Sequence, residues 1–433
     1  MLYATTGSLW ARPARITYSF VPDGTSIGGV SSNLQATFNA RFGAGTWQNE
    51  FAEAAAAWQK VANINFAQVP DSGAPIGVAG NQQGDARFGD IRIGGFVQGS
   101  TQLAFAYLPP PSNGGTNAGD IFFNTSQSWQ INATTYDVRT VALHEFGHAL
   151  GLGHSSLSTA ALWPSYTGTK RNLTTDDSNG ASQIYTIRQN DYFDATVSNN
   201  TVGAADDISG YIDASGQITL SALDSTTPTT LSSGDNDWYK VIVPATTTGT
   251  MVVRMQSQDL SLLTPSVAIY DVSGATRFGL ASSQVKGDTV SVTLVGVVPG
   301  QVYTILARGA TNANAGFGGY ALQVNFGSLP LPAVAPPNTT VAQAASLGGG
   351  SLSLDGSDPD RGNLEAQAVG PALDPTSHDG GHHITVVVGS LAGQADVMTI
   401  GGGLDHGGVH RGSGHVLDLT PGRLRRGPTR LES

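Results

Sequence analysis

The sequence predicts an α+β domain, then an all-β sandwich, then a low-complexity tail. Three observations carry this. A helix pattern over Val138 to Leu150 follows several short strand-like runs; closely spaced alternating runs take over from about Thr196 to Phe326; and a Pro-rich stretch from Leu329 opens into Gly- and His-rich sequence. A chain of 433 residues is long enough for two or three domains. The boundaries read as 1–190, 191–328 and 329–433.

The elements follow in order. Arg15 to Phe20 alternates apolar and polar residues, the pattern of a half-buried strand. Phe51 to Val61, with Ala52, Ala54 to Ala57 and Trp58, is rich in helix formers. Ile64, Phe66 and Val69 suggest a second alternating strand, and Ile91 to Ile93 and Leu103 to Leu108 two more, each closed by Gly or Pro. Val138 to Leu150 is the clearest helix, with Gly151 where a left-handed residue ends such an element. A last helix begins near Thr174, a suitable N-cap, with Asp176 and Asp177 favouring the positive end of its first turn, and closes at Ile184 and Tyr185.

Beyond residue 196, runs such as Trp238 to Val243, Val267 to Tyr270 and Tyr303 to Leu306 are divided by Gly, Pro, Asp and Thr clusters, as in an antiparallel sandwich. Leu329 to Pro337 holds four prolines and reads as a linker. The tail after it offers little to bury, so mobility is expected there.

Composition narrows the function classes. A net charge of −11 argues against a nucleic-acid binder, which needs a basic face. The one basic concentration, Arg423, Arg425, Arg426 and Arg430, sits in the tail. Without cysteine there is no disulfide and no thiolate ligand, so the redox compartment stays open. No apolar run approaches the ~18 residues of a membrane span. Met1 to Phe20 carries Arg12 and Arg15 and lacks an apolar core, so an ordinary signal peptide is not visible.

The segment His144-Glu145-Phe146-Gly147-His148-Ala149-Leu150-Gly151-Leu152-Gly153-His154 carries the chemistry. Residues four apart share a helix face, so His144 and His148 can present imidazole nitrogens to one ion. Gly151 permits a reversal with positive φ that returns His154 as a third ligand. Three ligands leave a coordination position open, the mark of a catalytic zinc site. Glu145 lies about 100° round the helix from the first ligand, placed to handle a proton without ligating. A bare His-Glu-x-x-His occurs by chance as two surface histidines beside a solvated Glu; the added Gly and third His shift the balance to metal.

With Ala161-Leu162-Trp163-Pro164-Ser165-Tyr166 following His154-Ser155, with Leu173 to Gly180 and Ile184-Tyr185, and with upstream Asp90 to Ile93, Leu103 to Ala106 and Gly119 to Phe123, the chain resembles the matrixins, the matrix-metalloprotease branch of the metzincins, over roughly residues 12–187. The resemblance implies a metzincin-like fold, a twisted mixed sheet plus about three helices. It also implies a secreted zinc endopeptidase acting on proteins or peptides. By the same analogy Leu103, Ala104, Phe105 and Ala106 form the edge strand that pairs with an extended substrate. Pro164, Ser165 and Tyr166 wall the pocket beside the scissile bond, and Gly151, Leu162, Asp176 and Asp177 have structural roles.

There are departures from that pattern. Leu162 stands at the family's Met-turn methionine; these side chains exchange at modest cost, so zinc binding is expected to survive. Phe105 and Phe122 replace structural-zinc histidines, so one zinc is expected rather than two. Asn124 replaces an Asp, which weakens any calcium site near Asp120. Calcium stays a candidate second cation there and at Asp355, Asp358 and Asp360, a faint loop motif without the Gly and Glu of an EF-hand.

Asp235-Asn236-Asp237-Trp238-Tyr239-Lys240-Val241 and the strands after it resemble the bacterial prepeptidase C-terminal β-sandwich, implying an accessory module; core packing is the simpler role for Trp238 and Tyr239. His378, His382, His383, His406, His410 and His415 lack helical or finger spacing and read as a solvated tail. Two other function classes compete with the peptidase: a surface adhesion protein with a vestigial protease domain, and a metal-dependent hydrolase of small esters or amides. The intact set of three histidines and a glutamate disfavours the first.

Overall fold

The computed structural model describes residues 2–194, 197–225, 235–311, 313–334, 381–388 and 396–403. In the N-terminal region, β1 (Ile16–Phe20) lies between β2 (Phe66–Gln68) and β3 (Ile91–Phe96), parallel to both. Beyond them come β5 (Ile121–Asn124), parallel to β3, and at the edge β4 (Ala104–Ala106), antiparallel to β5. The five-stranded mixed sheet thus runs β2-β1-β3-β5-β4.

The half-buried character expected of β1 is corrected. With neighbours on both edges, its polar residues are buried too, and buried polar groups need partners. Thr17 accepts from the Asp90 backbone amide and donates its own amide to Asp90 Oδ2, both at 2.8 Å, while the Ser19 hydroxyl donates to Asp71 Oδ2 at 2.7 Å. Asp71 in turn pairs with fully buried Arg92 at 2.7 Å.

Four helices accompany the sheet, not three: α1 (Leu34–Phe42), α2 (Thr46–Val61), α3 (Val138–Ala149) and α4 (Thr175–Tyr185). The unexpected helix, α1, buries only Leu34 and Phe38, a single i,i+4 pair too brief to register as periodicity. α2 begins five residues before the expected Phe51, because Gln48 Oε1 accepts the Gly45 amide at 2.8 Å and closes its first turn. Its run Ala54 to Ala56 is fully buried. Small side chains there let α2 approach α3 closely, and the Trp58 indole donates to the Leu143 carbonyl at 3.0 Å. One apolar cluster joins all four helices to the sheet.

The second region holds two sheets. The first comprises β6 (Asp206–Asp207), β8 (Asn236–Ile242), β10 (Pro265–Asp271), β11 (Arg277–Ser282) and β13 (Val302–Gly309), in the order β6-β8-β13-β10-β11. The other has β7 (Gln217–Asp224), β9 (Thr250–Gln256), β12 (Thr289–Val295) and β14 (Gly319–Asn325), in the order β7-β14-β9-β12. All pairings are antiparallel except β6 with β8. Alternate residues of both sheets, among them Tyr239, Val253, Ile269, Ile305 and Leu322, meet in one apolar cluster. Tyr239 is core, its hydroxyl 2.8 Å from that of Tyr320, whereas Trp238 takes the opposite face and stands half-exposed against Tyr270.

The two regions are tied by buried polar groups. Gln59 Nε2 donates to the Phe317 carbonyl at 2.6 Å, and its Oε1 accepts from Phe66 and Leu262 amides. Arg188 donates to the Gln59 and Ile64 carbonyls, both at 2.7 Å, and pairs with Asp224 on β7.

The linker expected from Leu329 is corrected in its first half: Gln217 donates to the Leu329 carbonyl, Arg254 to those of Leu331 and Pro332, and Gln256 to that of Val334, so residues 329–334 lie bound along the four-stranded sheet. In the region expected as tail, β15 (Gly381–Val388) and β16 (Asp396–Gly403) pair as an antiparallel hairpin. The calcium motif at Asp355 to Asp360, the Arg423 to Arg430 stretch, and His378, His406, His410 and His415 lie outside the described residues. No described helix is long and apolar enough to cross a membrane.

Candidate metal centre

Asp137 caps α3: its Oδ2 accepts the Thr140 amide at 3.0 Å and the Thr140 hydroxyl at 2.8 Å. The cap sets the helix phase, so His144 and His148 stand one turn apart with ring centroids 4.6 Å from each other. Their outer nitrogens meet backbone carbonyls, His144 Nδ1 to Ala161 at 2.9 Å and His148 Nδ1 to Leu152 at 2.8 Å. A carbonyl only accepts, so each Nδ1 carries the hydrogen and each Nε2 is left with its lone pair.

Those two Nε2 atoms lie 3.0 Å apart. Burial, and then each other's proximity, lowers His144 to about 3, and burial lowers His148 as well, so both rings are neutral. Two bare lone pairs at that separation repel unless a cation lies between them. The donor set therefore fits a zinc ion on geometry alone.

The third imidazole arrives by a turn that only glycine can make. Gly151 has φ +98°, and a Cβ there would stand 2.0 Å from the Ser8 carbonyl oxygen. The Trp10 indole donates to the Ala149 carbonyl at 2.8 Å and the Tyr185 hydroxyl to that of Leu150 at 2.9 Å, fixing the helix end. Leu152–Gly153 then pairs with Ala4–Thr5 and delivers His154, its ring 5.3 Å from His144 and 4.9 Å from His148. One ligand atom from each histidine falls within 4.8 Å of the others. His144 and His148 are half-buried and His154 is exposed, so the cluster opens to solvent on one side.

Glu145, on the next position of the helix, is 4 % exposed. Its Oε2 is buried without a hydrogen-bond partner, and burial pushes the carboxyl up to about 8. An uncompensated buried carboxylate next to three imidazoles is a marked departure from ordinary packing.

Leu162 closes the floor under α3. Gly147 makes room for it: a Cβ there would lie 2.7 Å from Leu162 Cδ2 and 3.0 Å from Trp58 Cζ2. Asp177 holds this floor in place. Its carboxylate accepts the Ala161 and Leu162 amides at 3.0 and 3.2 Å, and also the Thr174 amide and hydroxyl at 2.9 and 2.7 Å. Asp176 accepts the Ser155 hydroxyl at 2.6 Å and the Leu2 and Tyr3 amides. We predict that Asp177→Ala lowers unfolding free energy by about 2–3 kcal/mol, since a cap and two buried amides lose their acceptor. It should also weaken zinc binding by about tenfold, because Ala161 orients His144. Denaturant unfolding and zinc titration would read both; unchanged zinc affinity would show that Ala161 holds its place without Asp177.

Of the other residues singled out in the sequence, Leu103 to Ala106 are half-buried along β4, which among the described strands pairs only with β5. Pro164 and Ser165 are exposed, and the Tyr166 hydroxyl accepts the Asp137 amide at 2.9 Å. Phe105 and Phe122 stack with ring centroids 5.3 Å apart, an apolar contact. Asn124 spends its side chain on protein groups, accepting from the Gln98 and Ser126 amides and donating to the Gly99 and Gln102 carbonyls. Sequence reasoning missed Asp137, although Asp-x-x-Thr before an apolar run is a capping signal. It also missed buried Glu50, which accepts from Arg139 at 2.8 Å and from Arg171 at 2.5 Å while Arg171 pairs with Asp137. No local pattern marks residues so far apart.

Residues 31–186 match the matrixin family model. The chain thus carries a matrixin domain, of a family of zinc-dependent peptidases. Karilysin of Tannerella forsythia is 46 % identical over 83 residues, 19 % of this chain and 17 % of karilysin. Interstitial collagenase of Equus caballus is 42 % identical over 90 residues, 20 % of this chain and 18 % of that protein. Matrix metalloproteinase-27 of Homo sapiens is 40 % identical over 86 residues, 19 % of this chain and 16 % of its own length. The matched stretch therefore spans less than a fifth of each of these relatives. In the matrixin domain the family match, the histidine cluster and the mixed sheet coincide.

Proposed function

We propose that this chain is a zinc-dependent metalloendopeptidase that cleaves extracellular proteins. The observation that carries the reading is the convergence of three imidazoles within 4.8 Å beside a buried, unpartnered carboxylate. His144, His148 and His154 would hold the ion, with Ala161 and Leu152 keeping two of the rings turned inward. When bound there, zinc would supply Lewis acidity and would bring the pKa of a bound water toward ~7. Glu145 takes a proton from the attacking water and returns it to the amine nitrogen of the departing fragment. Burial suits it to both halves, because a carboxyl raised toward neutrality can accept a proton and give it back.

Leu103 to Ala106 would receive an extended peptide along the free edge of β4, with Pro164, Ser165 and Tyr166 bordering the pocket beside the scissile bond. Gly151, Leu162, Asp176 and Asp177 serve as the supporting frame. We assign the matrixin domain to residues 1–190 and a β-sandwich accessory module, prepeptidase C-terminal-like, to 191–328. With 329–334 bound along the four-stranded sheet, we assign the residues from 335 to 433 to an appended tail. We also propose that the protein is secreted, as is the habit of the matched family.

The test is metal content joined to product mapping. The purified chain should carry one zinc per molecule and cut unfolded casein at internal bonds. His148→Ala should lose both the zinc and the cleavage. A zinc-loaded protein that cleaves small esters but no polypeptide would replace the peptidase with another hydrolase.

A further inference from the structure

The matrixin domain ends at α4, and the chain then runs through Asp191 and Asp194 toward the sheets. This connection meets the start of β8 at a cluster of carboxylates. Asp194, Asp235 and Asp237 are 4 %, 2 % and 0 % exposed, and one carboxylate oxygen of each lies within 4.8 Å of the others. In each side chain one oxygen accepts a hydrogen bond: Asp194 Oδ1 from the Asn199 amide at 3.1 Å, Asp235 Oδ1 from the Asn236 amide at 2.9 Å, and Asp237 Oδ2 from the Tyr320 hydroxyl at 2.7 Å. The remaining oxygens, Asp194 Oδ2, Asp235 Oδ2 and Asp237 Oδ1, are buried and accept none.

No ion pair among the described residues involves these three or the neighbouring Asp191. Asp191 is itself 7 % exposed, and its Oδ2 accepts the Asp224 amide at 3.1 Å. Asp206, whose Oδ2 is likewise buried and unpartnered, is near enough to Asp194 for the charges to repel. Burying several carboxylates together without a counter-charge is strongly unfavourable, so this arrangement calls for a cation. We propose that Asp194, Asp235 and Asp237 form a calcium site that clips the connecting segment to β8.

The chemistry selects the ion. The donors are all oxygen, with no imidazole among them, which favours a hard cation over zinc. Calcium accepts such carboxylates in a flexible shell at about 2.3–2.6 Å, whereas magnesium demands a near-ideal octahedron at about 2.1 Å and gives up its waters reluctantly, which suits it less to a buried all-protein cluster. Burial, followed by the neighbouring carboxylates Asp191 and Asp235, also raises Asp237, while burial and then Asp194 push Asp235 up to about 8, as expected where negative groups lack a counter-ion. The site shares no residue with the histidine cluster or with the Asp355 to Asp360 motif.

The experiment uses the full chain carrying Glu145→Ala to prevent self-digestion, stripped of calcium with EGTA and kept in zinc-containing buffer. Calorimetric titration with calcium should show a site that is saturated at one ion per chain and accompanied by a rise in the unfolding midpoint. In the same chain, Asp235→Asn with Asp237→Asn should weaken that affinity by more than about a hundredfold, since two of three charged ligands are gone. The calcium-free double variant should unfold no more easily than its calcium-free parent, because repulsion has been removed; this separates lost binding from lost folding. Asp194→Asn, on the connecting segment, should weaken binding on its own. No calcium binding by the parent, equal binding by the double variant, or an equal response to magnesium at the same concentration would overturn the proposal.

Discussion

Glu145→Ala is expected to lower kcat/KM for a polypeptide substrate by about a thousandfold while leaving bound zinc unchanged. The residue sits in the helix turn that carries His144 and His148 yet belongs to neither ligand pair, so the three imidazoles keep their geometry when it is cut back. What disappears is the group that moves the proton, and general acid–base catalysis contributes roughly 10²–10⁴ in rate. The fold should tolerate the change, since Glu145 Oε2 makes no hydrogen bond that would be lost. Removing a buried, unpartnered carboxylate instead relieves a desolvation penalty. The decisive comparison is cleavage rate beside zinc stoichiometry in the same preparation. Equal rates would take Glu145 out of the chemistry; loss of zinc together with rate would make it a structural support.

Arg188→Met is expected to cost about 3–5 kcal/mol of unfolding free energy, the range for breaking a buried ion pair by removing one partner. Arg188 is 1 % exposed and Asp224 14 %, so solvent does little to screen them. The guanidinium also donates to the Gln59 and Ile64 carbonyls and, at 2.9 Å, to Asn65 Oδ1. Methionine has comparable reach and no donors, so packing is largely kept while one carboxylate and two carbonyls lose their partner. Because the residue joins the matrixin domain to β7, its loss should also separate the melting of the two regions. Differential scanning calorimetry would show two transitions in place of one. A single transition displaced by less than about 1 kcal/mol would place Arg188 with exposed pairs of little net worth.

The legibility of this molecule follows the distance over which each contact is made. His144, Glu145 and His148 share one helix, and His154 follows after a turn marked by a glycine, so eleven consecutive residues contain the candidate centre. Thr174 and Asp177 were readable as a helix start for the same reason. That Asp177 also holds the floor beneath α3 through Ala161 and Leu162 was not. Alternation suggested β1, but its central place in the sheet overrode the half-buried pattern. The helix at Leu34–Phe42 was missed because it buries just two apolar residues.

The amino-acid order alone therefore determined where metal-binding chemistry lies, since helical spacing and a glycine turn act within a few residues of one another. Tertiary structure decided which hydrogen bonds turn those imidazoles inward, which arginine joins the two regions, and which aspartates become neighbours in the dark of the second core. Several of those contacts reach far along the chain, 17 positions between His144 and Ala161 and 129 between Arg188 and Gln59. Only the folded chain brings such groups to one place, because burial and hydrogen-bond satisfaction are settled by the whole packing and not by any local run.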